Sequence, residues 1–264
     1  MYKVAKIIYK CKINKKQGRI YNDVLNMLTA LFYNGQIRED FVVEEYEDKH
    51  VAHVTTIGLE ALNEEYCNKD YKRIVEDYDV EIEFFPSAIS EKICTCKTCS
   101  FYLIEYSIHI ESSPILCGDC SRPVPLYKIP YFKKEVDHYT LITYRKMYDN
   151  IFTLWIDGLH DSFTKKQMTD YRSSLNKAGL KLRKELEKLT NIPVYFSLHN
   201  PLGCYYKFTF NNRNLKRCPS CKGKFSPIKH EYVDKICPKC KMAFATSAED
   251  EGPVIIASNP NKTL

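Results

Sequence analysis

The chain has 264 residues, 44% hydrophobic and 27% charged, a globular composition that excludes an intrinsically disordered protein. Its apolar stretches fall well short of the ~18 residues of a membrane helix. Lysines are spread through the apolar N-terminus, with no separate basic and apolar regions, so a soluble cytoplasmic protein is expected. The net charge of +6 is uneven: residues 1–90 hold 12 basic and 16 acidic side chains, residues 193–245 hold 10 and 2.

Residues 4–13 read as a strand. Residues 20–37 read as a helix, because Ile20, Val24, Leu28 and Leu31 recur at helical spacing. Residues 41–46 and 51–57 predict two strands around the turn Glu47-Asp48-Lys49-His50, residues 59–78 a second helix, and residues 80–85 a closing strand. That βαββαβ order predicts a ferredoxin-like unit over residues 1–86. Its acidic balance suits a phosphate backbone poorly. His50 and His53, three apart beside the turn, read as solvated histidines, not as a metal pair.

Residues 87–135 are expected to form a first zinc ribbon and a proline-rich connector. Cys96-x2-Cys99 is followed after 17 residues by Cys117-x2-Cys120. Between the pairs, residues 101–111 place apolar side chains at even positions, a half-buried strand pattern. Pro123, Pro125 and Pro130 mark an extended connector. Residues 136–192 predict a helical hairpin, with helices over 139–159 and 163–189. The second carries an apolar face from Met168 to Leu189, and lysines on its other positions that read equally well as a solvated face.

Residues 193–245 predict a strand and a second ribbon, and residues 246–264 a flexible tail. Cys218-x2-Cys221 is followed after 15 residues by Cys237-x2-Cys240. Both intervals suit four-cysteine zinc sites, because a two-residue knuckle sets two sulfurs on one metal and a second knuckle completes the tetrahedron. Two zinc ions per chain are therefore expected, on Cys96, Cys99, Cys117 and Cys120 and on Cys218, Cys221, Cys237 and Cys240; iron is the lesser option. Four thiolates close the coordination sphere, so these sites read as structural and not catalytic. Cys94, two residues before Cys96, competes for the first site. Cys11, Cys67 and Cys204 read as small buried side chains.

His109-Ile110-Glu111 ahead of Cys117-x2-Cys120 superficially matches a zinc-deaminase signature. The interval is too short for that chemistry, and Cys96 and Cys99 would go unexplained. No H-E-x-x-H, P-loop or G-x-G-x-x-G motif is present, so no enzyme is expected.

The second ribbon carries the case for nucleic acid, DNA or RNA. Arg213, Lys216, Arg217, Lys222, Lys224, Lys229, Lys235, Lys239 and Lys241 surround its cysteines, and Tyr205, Tyr206, Phe208 and Phe210 precede them. Cations would neutralise phosphates and aromatics would stack on bases. The alternative is a protein-interaction module, for example a binder or inhibitor of a basic partner such as a nuclease or toxin, met by the acidic N-terminal unit.

Several segments resemble an uncharacterised bacterial family of zinc-ribbon-containing proteins with a suggested role in nucleic-acid binding. They are Cys94-Thr95-Cys96, the stretch from Glu111 to Cys120, Pro123-Val124-Pro125-Leu126-Tyr127, Ser174-Leu175-Asn176, the stretch from Leu189 to Tyr195, and Cys218-Pro219-Ser220-Cys221. The likeness covers residues 90–245 and implies zinc-ribbon architecture more than it implies an activity. The chain departs from the family pattern at Lys222, where glycine is usual, and at Phe225, where a bulkier aromatic is usual.

Overall fold

The computed structural model describes residues 2–86, 92–105, 113–132, 134–199 and 215–245. The tail expected over residues 246–264 lies outside them.

The first unit runs β1 (Lys3–Cys11), α1 (Gln17–Tyr33), β2 (Val42–Glu45), β3 (His50–Thr56), α2 (Lys69–Val75) and β4 (Tyr78–Phe85). The strands lie in the order β2-β3-β1-β4, each antiparallel to its neighbour. Alternation decides the faces: Ala5, Ile7 and Tyr9 of β1 are fully buried against Val24, Met27, Leu28 and Leu31 of α1. Each such aliphatic side chain contributes ~1.5–3 kcal/mol by leaving water. The opposite face carries cross-strand ion pairs, Lys10–Glu81 at 3.0 Å and Lys6–Glu83 at 3.9 Å.

The helix expected over residues 59–78 is mostly absent. Two 3-10 turns, Leu59–Leu62 and Glu64–Tyr66, precede the short α2. Asn63 and Cys67 adopt extended backbone, and the Asn68 side chain caps α2 by accepting the Tyr71 N–H at 2.9 Å.

The second unit is one six-stranded sheet, in the order β6-β5-β7-β10-β9-β8. Its strands are β5 (Tyr102–Ile104), β6 (Ile115–Cys117), β7 (Val194–Ser197), β8 (Ser226–Pro227), β9 (Lys235–Cys237) and β10 (Met242–Phe244). The strands beside both cysteine clusters thus belong to a single sheet, because β7 pairs in parallel with β5 on one side and β10 on the other. Ile104, Ile115, Phe196, Met242 and Phe244 face a helical layer, while Leu103, Leu116, Tyr195, Ile236 and Ala243 face a loop containing Val233.

Three helices build that layer, where a hairpin of two was expected: α3 (Tyr139–Ile156), α4 (Asp161–Thr169) and α5 (Ser174–Thr190). The long second helix is broken because side chains compete for its backbone groups. Ser173 caps α5, accepting the Asn176 N–H at 3.1 Å, and Asn176 donates to the carbonyls of Gln167 at 2.8 Å and Asp170 at 2.9 Å. Gly179 lets α5 approach the sheet closely: a Cβ there would lie 2.3 Å from the Phe196 ring.

The proline-rich connector is packed between the units. Val124, Leu126, Tyr127 and Ile129 are buried, the Tyr127 hydroxyl donates to the Ile57 carbonyl at 2.9 Å, and the Tyr131 hydroxyl donates to Asn34 at 2.7 Å. Gly35, at φ +71° after α1, leaves room for Leu126, whose Cβ would lie 2.5 Å from an added methyl. No described helix is long and apolar enough to cross a membrane.

Candidate metal centres and the basic ribbon

Two four-cysteine clusters could each hold a metal ion. In the second, the sulfurs of Cys218, Cys221, Cys237 and Cys240 lie within 4.8 Å of one another, with Cys221 and Cys237 only 3.5 Å apart. Both knuckles have the same backbone. The residue after the second cysteine, Lys222 or Lys241, is left-handed (φ 59° and 55°), and its N–H returns to the first cysteine's carbonyl at 2.9 and 2.8 Å. Amides then turn inward on sulfur: the Gly223 N–H donates to Cys221 and the Cys240 N–H to Cys237, both at 3.4 Å. Such donors stabilise thiolates. The Gly223 amide is the main reason the Cys221 thiol titrates near 7, while burial pushes Cys237 up to about 12.

In the first cluster the four mutually close sulfurs are Cys94, Cys96, Cys117 and Cys120. The spacing-based set has Cys99 in the place that Cys94 takes in this group. Cys99 groups instead with Cys117 and Asp119. The reason is local backbone structure. Cys117-x2-Cys120 forms the same knuckle as the second centre, with Ser121 left-handed (φ 58°) and its N–H 2.9 Å from the Cys117 carbonyl. Cys96-x2-Cys99 does not: Ser100 is not left-handed, and its N–H turns to the Asp119 carboxylate at 2.8 Å. The Cys94 N–H donates to the Pro123 carbonyl at 2.8 Å, which lays residues around Cys94 beside the connector and next to the Cys117 knuckle.

Burial raises the Cys94 and Cys99 thiols alike. Burial raises Cys94 to about 12, against an amide hydrogen bond from Cys96. Burial, then Cys117, raise Cys99 to about 12 with no amide donor in support. Burial also acts on Cys117, but hydrogen bonds from Cys99 and from the amides of Cys120 and Asp119 outweigh it and hold that thiol below its ordinary range. Each centre thus has one lowered thiol, Cys117 or Cys221, beside thiols that burial raises, and a metal entering would displace their protons.

Residues flanking the two centres touch across the sheet face. The Glu231 N–H donates to the Ser121 hydroxyl at 3.1 Å, and the His230 and Phe101 rings lie 6.1 Å apart. His50 and His53 point to opposite faces of β3, His50 buried and 3.7 Å from Glu45, His53 3.7 Å from Glu44 on the outer face. They share no site, and His50 is not solvated as expected. Cys11 is partly buried and Cys67 buried.

Around the second centre Lys216, Arg217, Lys222, Lys224, Lys229 and Lys239 are exposed. Lys235 lies 5.5 Å over the Phe225 ring, and Lys241 lies 5.0 Å over the Tyr195 ring and 3.7 Å from Glu187. Arg213, Cys204 and the aromatics Tyr205, Tyr206, Phe208 and Phe210 lie outside the described residues.

A family profile described as "Domain of unknown function (DUF2310)" matches residues 96–199. That stretch holds Cys96, Cys99, Cys117 and Cys120 but neither Cys94 nor the second centre. Two proteins of Haemophilus influenzae, each titled as an uncharacterized protein, are similar to the chain. One is 31% identical over 139 residues, covering 51% of this chain and 50% of the relative. The other is 28% identical over 141 residues, covering 51% and 64%. The chain thus spans between half and two thirds of the length of these relatives, and the similarity is to an uncharacterised bacterial group. No solved structure matches significantly.

Proposed function

We propose that the chain is a zinc protein with two structural centres, whose second ribbon contacts nucleic acid. Cys94, Cys96, Cys117 and Cys120 would hold one ion, and Cys218, Cys221, Cys237 and Cys240 the other. Tetrahedral zinc suits two sets of four thiols, three of whose knuckles carry left-handed residues and inward amides. Zinc supplies cross-linking there and, with four thiolates, no open position for a reacting water. The reading therefore assigns no catalytic step.

Strand order and antiparallel pairing support naming the first unit ferredoxin-like. Twelve thiols, with eight in two such clusters, support a reducing, cytoplasmic setting.

The observation that carries the nucleic-acid reading is the ring of exposed cations about the second centre, on backbone that a bound metal would make rigid. Reversing Lys216, Arg217, Lys222 and Lys224 to glutamate should abolish binding while two zinc ions remain bound. Unchanged affinity in that variant refutes the reading.

A protein-binding role for the first unit draws on β4, an edge strand exposing Ile82 (40%), Phe84 (38%) and Phe85 (39%) among Glu81 and Glu83. An edge unpaired among the described residues, with apolar and acidic side chains, suits a basic protein partner. Recovery of a partner that survives nuclease treatment and is lost on Phe84→Lys would favour it.

A further inference from the structure

We infer that α5 is the second half of the binding surface, a lysine rail that extends the basic ribbon along the backbone of a nucleic-acid duplex. The inference rests on the nucleic-acid reading of the second ribbon and adds a site and a ligand form to it.

Lys177, Lys181, Lys184 and Lys188 are all exposed and succeed one another by four, three and four residues, so they form one straight row on the helix face turned from the sheet. Eleven residues of helix rise about 16 Å. One strand of a duplex places a phosphate every ~3.4 Å along the axis, so the row spans about five phosphates with four cations.

The C-terminal end of the row lies where α5 meets the ribbon. Lys188 lies in the last turn of α5 beside Glu187, and Glu187 reaches Lys241 of the second knuckle at 3.7 Å, two residues from the exposed Lys239. Glu187 is also bound by the buried Arg183, so two cations cover its charge where the row meets the knuckle. Lys181 has only a loose 3.9 Å contact with Glu185. Among the described residues no carboxylate pairs with Lys177, Lys184 or Lys188.

The ligand form follows from what the row lacks. α5 contains no aromatic residue, so nothing on it stacks on an unpaired base. Cations without stacking groups read backbone charge, which a duplex presents with its bases concealed.

The experiment is a salt series of fluorescence-anisotropy titrations of the full-length, zinc-loaded protein with a 20-base-pair DNA duplex and with one of its single strands. Each phosphate contact contributes about −0.9 to the slope of log affinity against log salt, so K177Q/K181Q/K184Q/K188Q should flatten the slope by about 3.6. Between 50 and 200 mM salt the unaltered protein should then lose about 150-fold more affinity than the variant. Glutamine has a helix propensity close to that of lysine, so zinc content and helicity should hold. If the quadruple variant does not fold, K177Q/K181Q and K184Q/K188Q should each flatten the slope by about half as much. An unchanged slope, or tighter binding of the single strand, overturns the rail and leaves the ribbon reading standing. No binding of either probe by the unaltered protein overturns both.

Discussion

Replacing Gly179 by alanine sets two effects of opposite sign against each other. Alanine in a helix interior is worth about 1 kcal/mol over glycine, so propensity alone makes G179A stabilising. The added methyl, however, would stand 2.3 Å from the Phe196 ring and 2.4 Å from the Tyr144 hydroxyl. Carbon atoms in contact prefer about 3.5–4.0 Å, so one side must retreat by roughly 1 Å. Neither neighbour has free space: Phe196 is fully buried, and Tyr144 is 4% exposed with its hydroxyl donated to the Leu175 carbonyl at 3.0 Å. Overpacking of this kind costs about 1–3 kcal/mol, and loss of that hydrogen bond a further ~0.5–1.5 kcal/mol. Net destabilisation of about 1–3 kcal/mol is expected, because the helix gain offsets only part of the clash. Urea unfolding of the zinc-loaded protein, followed by the fluorescence of Trp155 beside His199, reads it as a lower midpoint. A midpoint equal to or above that of the unaltered protein would show that α5 does not seat on β7 as described.

Cys94→Ser should reduce bound zinc from two ions to one per chain while Cys99→Ser keeps both, since Cys94 and not Cys99 joins the four close sulfurs; elemental analysis decides, and the reverse pattern restores the spacing-based set. Burial lowers His138 from 6.5 to about 4, and its place at the N-terminus of α3 adds an unfavourable dipole for a cation. The unfolded chain therefore takes up a proton near pH 6.5 that the folded chain refuses until about 4, so stability is full above that window and falls as pH drops through it. His138→Leu should make the pH dependence between those values shallower, as measured by urea midpoints; an identical slope refutes the assignment. His199, also lowered to about 4 by burial, will keep part of the slope in the variant. Asn176→Ala should cost about 1–3 kcal/mol by stranding carbonyls of the α4–α5 turn, and should leave the midpoint unmoved if that turn is held by other contacts.

Much of the first unit was legible because strand alternation and helical spacing are local. Ala5, Ile7 and Tyr9 announce their face without reference to any other segment, and so do Val24, Leu28 and Leu31. The helix expected over residues 59–78 failed because its apolar residues serve two 3-10 turns that pack on the connector, a partner about sixty residues away. The break at Ser173 left a signal in principle, since serine is a favoured N-cap whose hydroxyl accepts the N–H three residues on, here that of Asn176. The uninterrupted apolar spacing from Met168 to Leu189 concealed it.

The cysteine spacing by itself determined that there are two sulfur centres, because a two-residue knuckle is a property of a few adjacent peptides. Composition likewise determined that positive charge concentrates in residues 193–245. Only the tertiary structure brings Cys94 close to Cys96, Cys117 and Cys120, since its N–H bonds the Pro123 carbonyl while Cys99 lies beside Asp119. It alone joined the strands beside both cysteine clusters in one sheet, because β7 needs edges from both to satisfy its backbone. It also brought the C-terminal turn of α5 against the second knuckle through Glu187 and Lys241, residues 54 positions apart in the chain. Spacing describes bonds that neighbours can make; partners that meet only after the sheet closes leave no period to read.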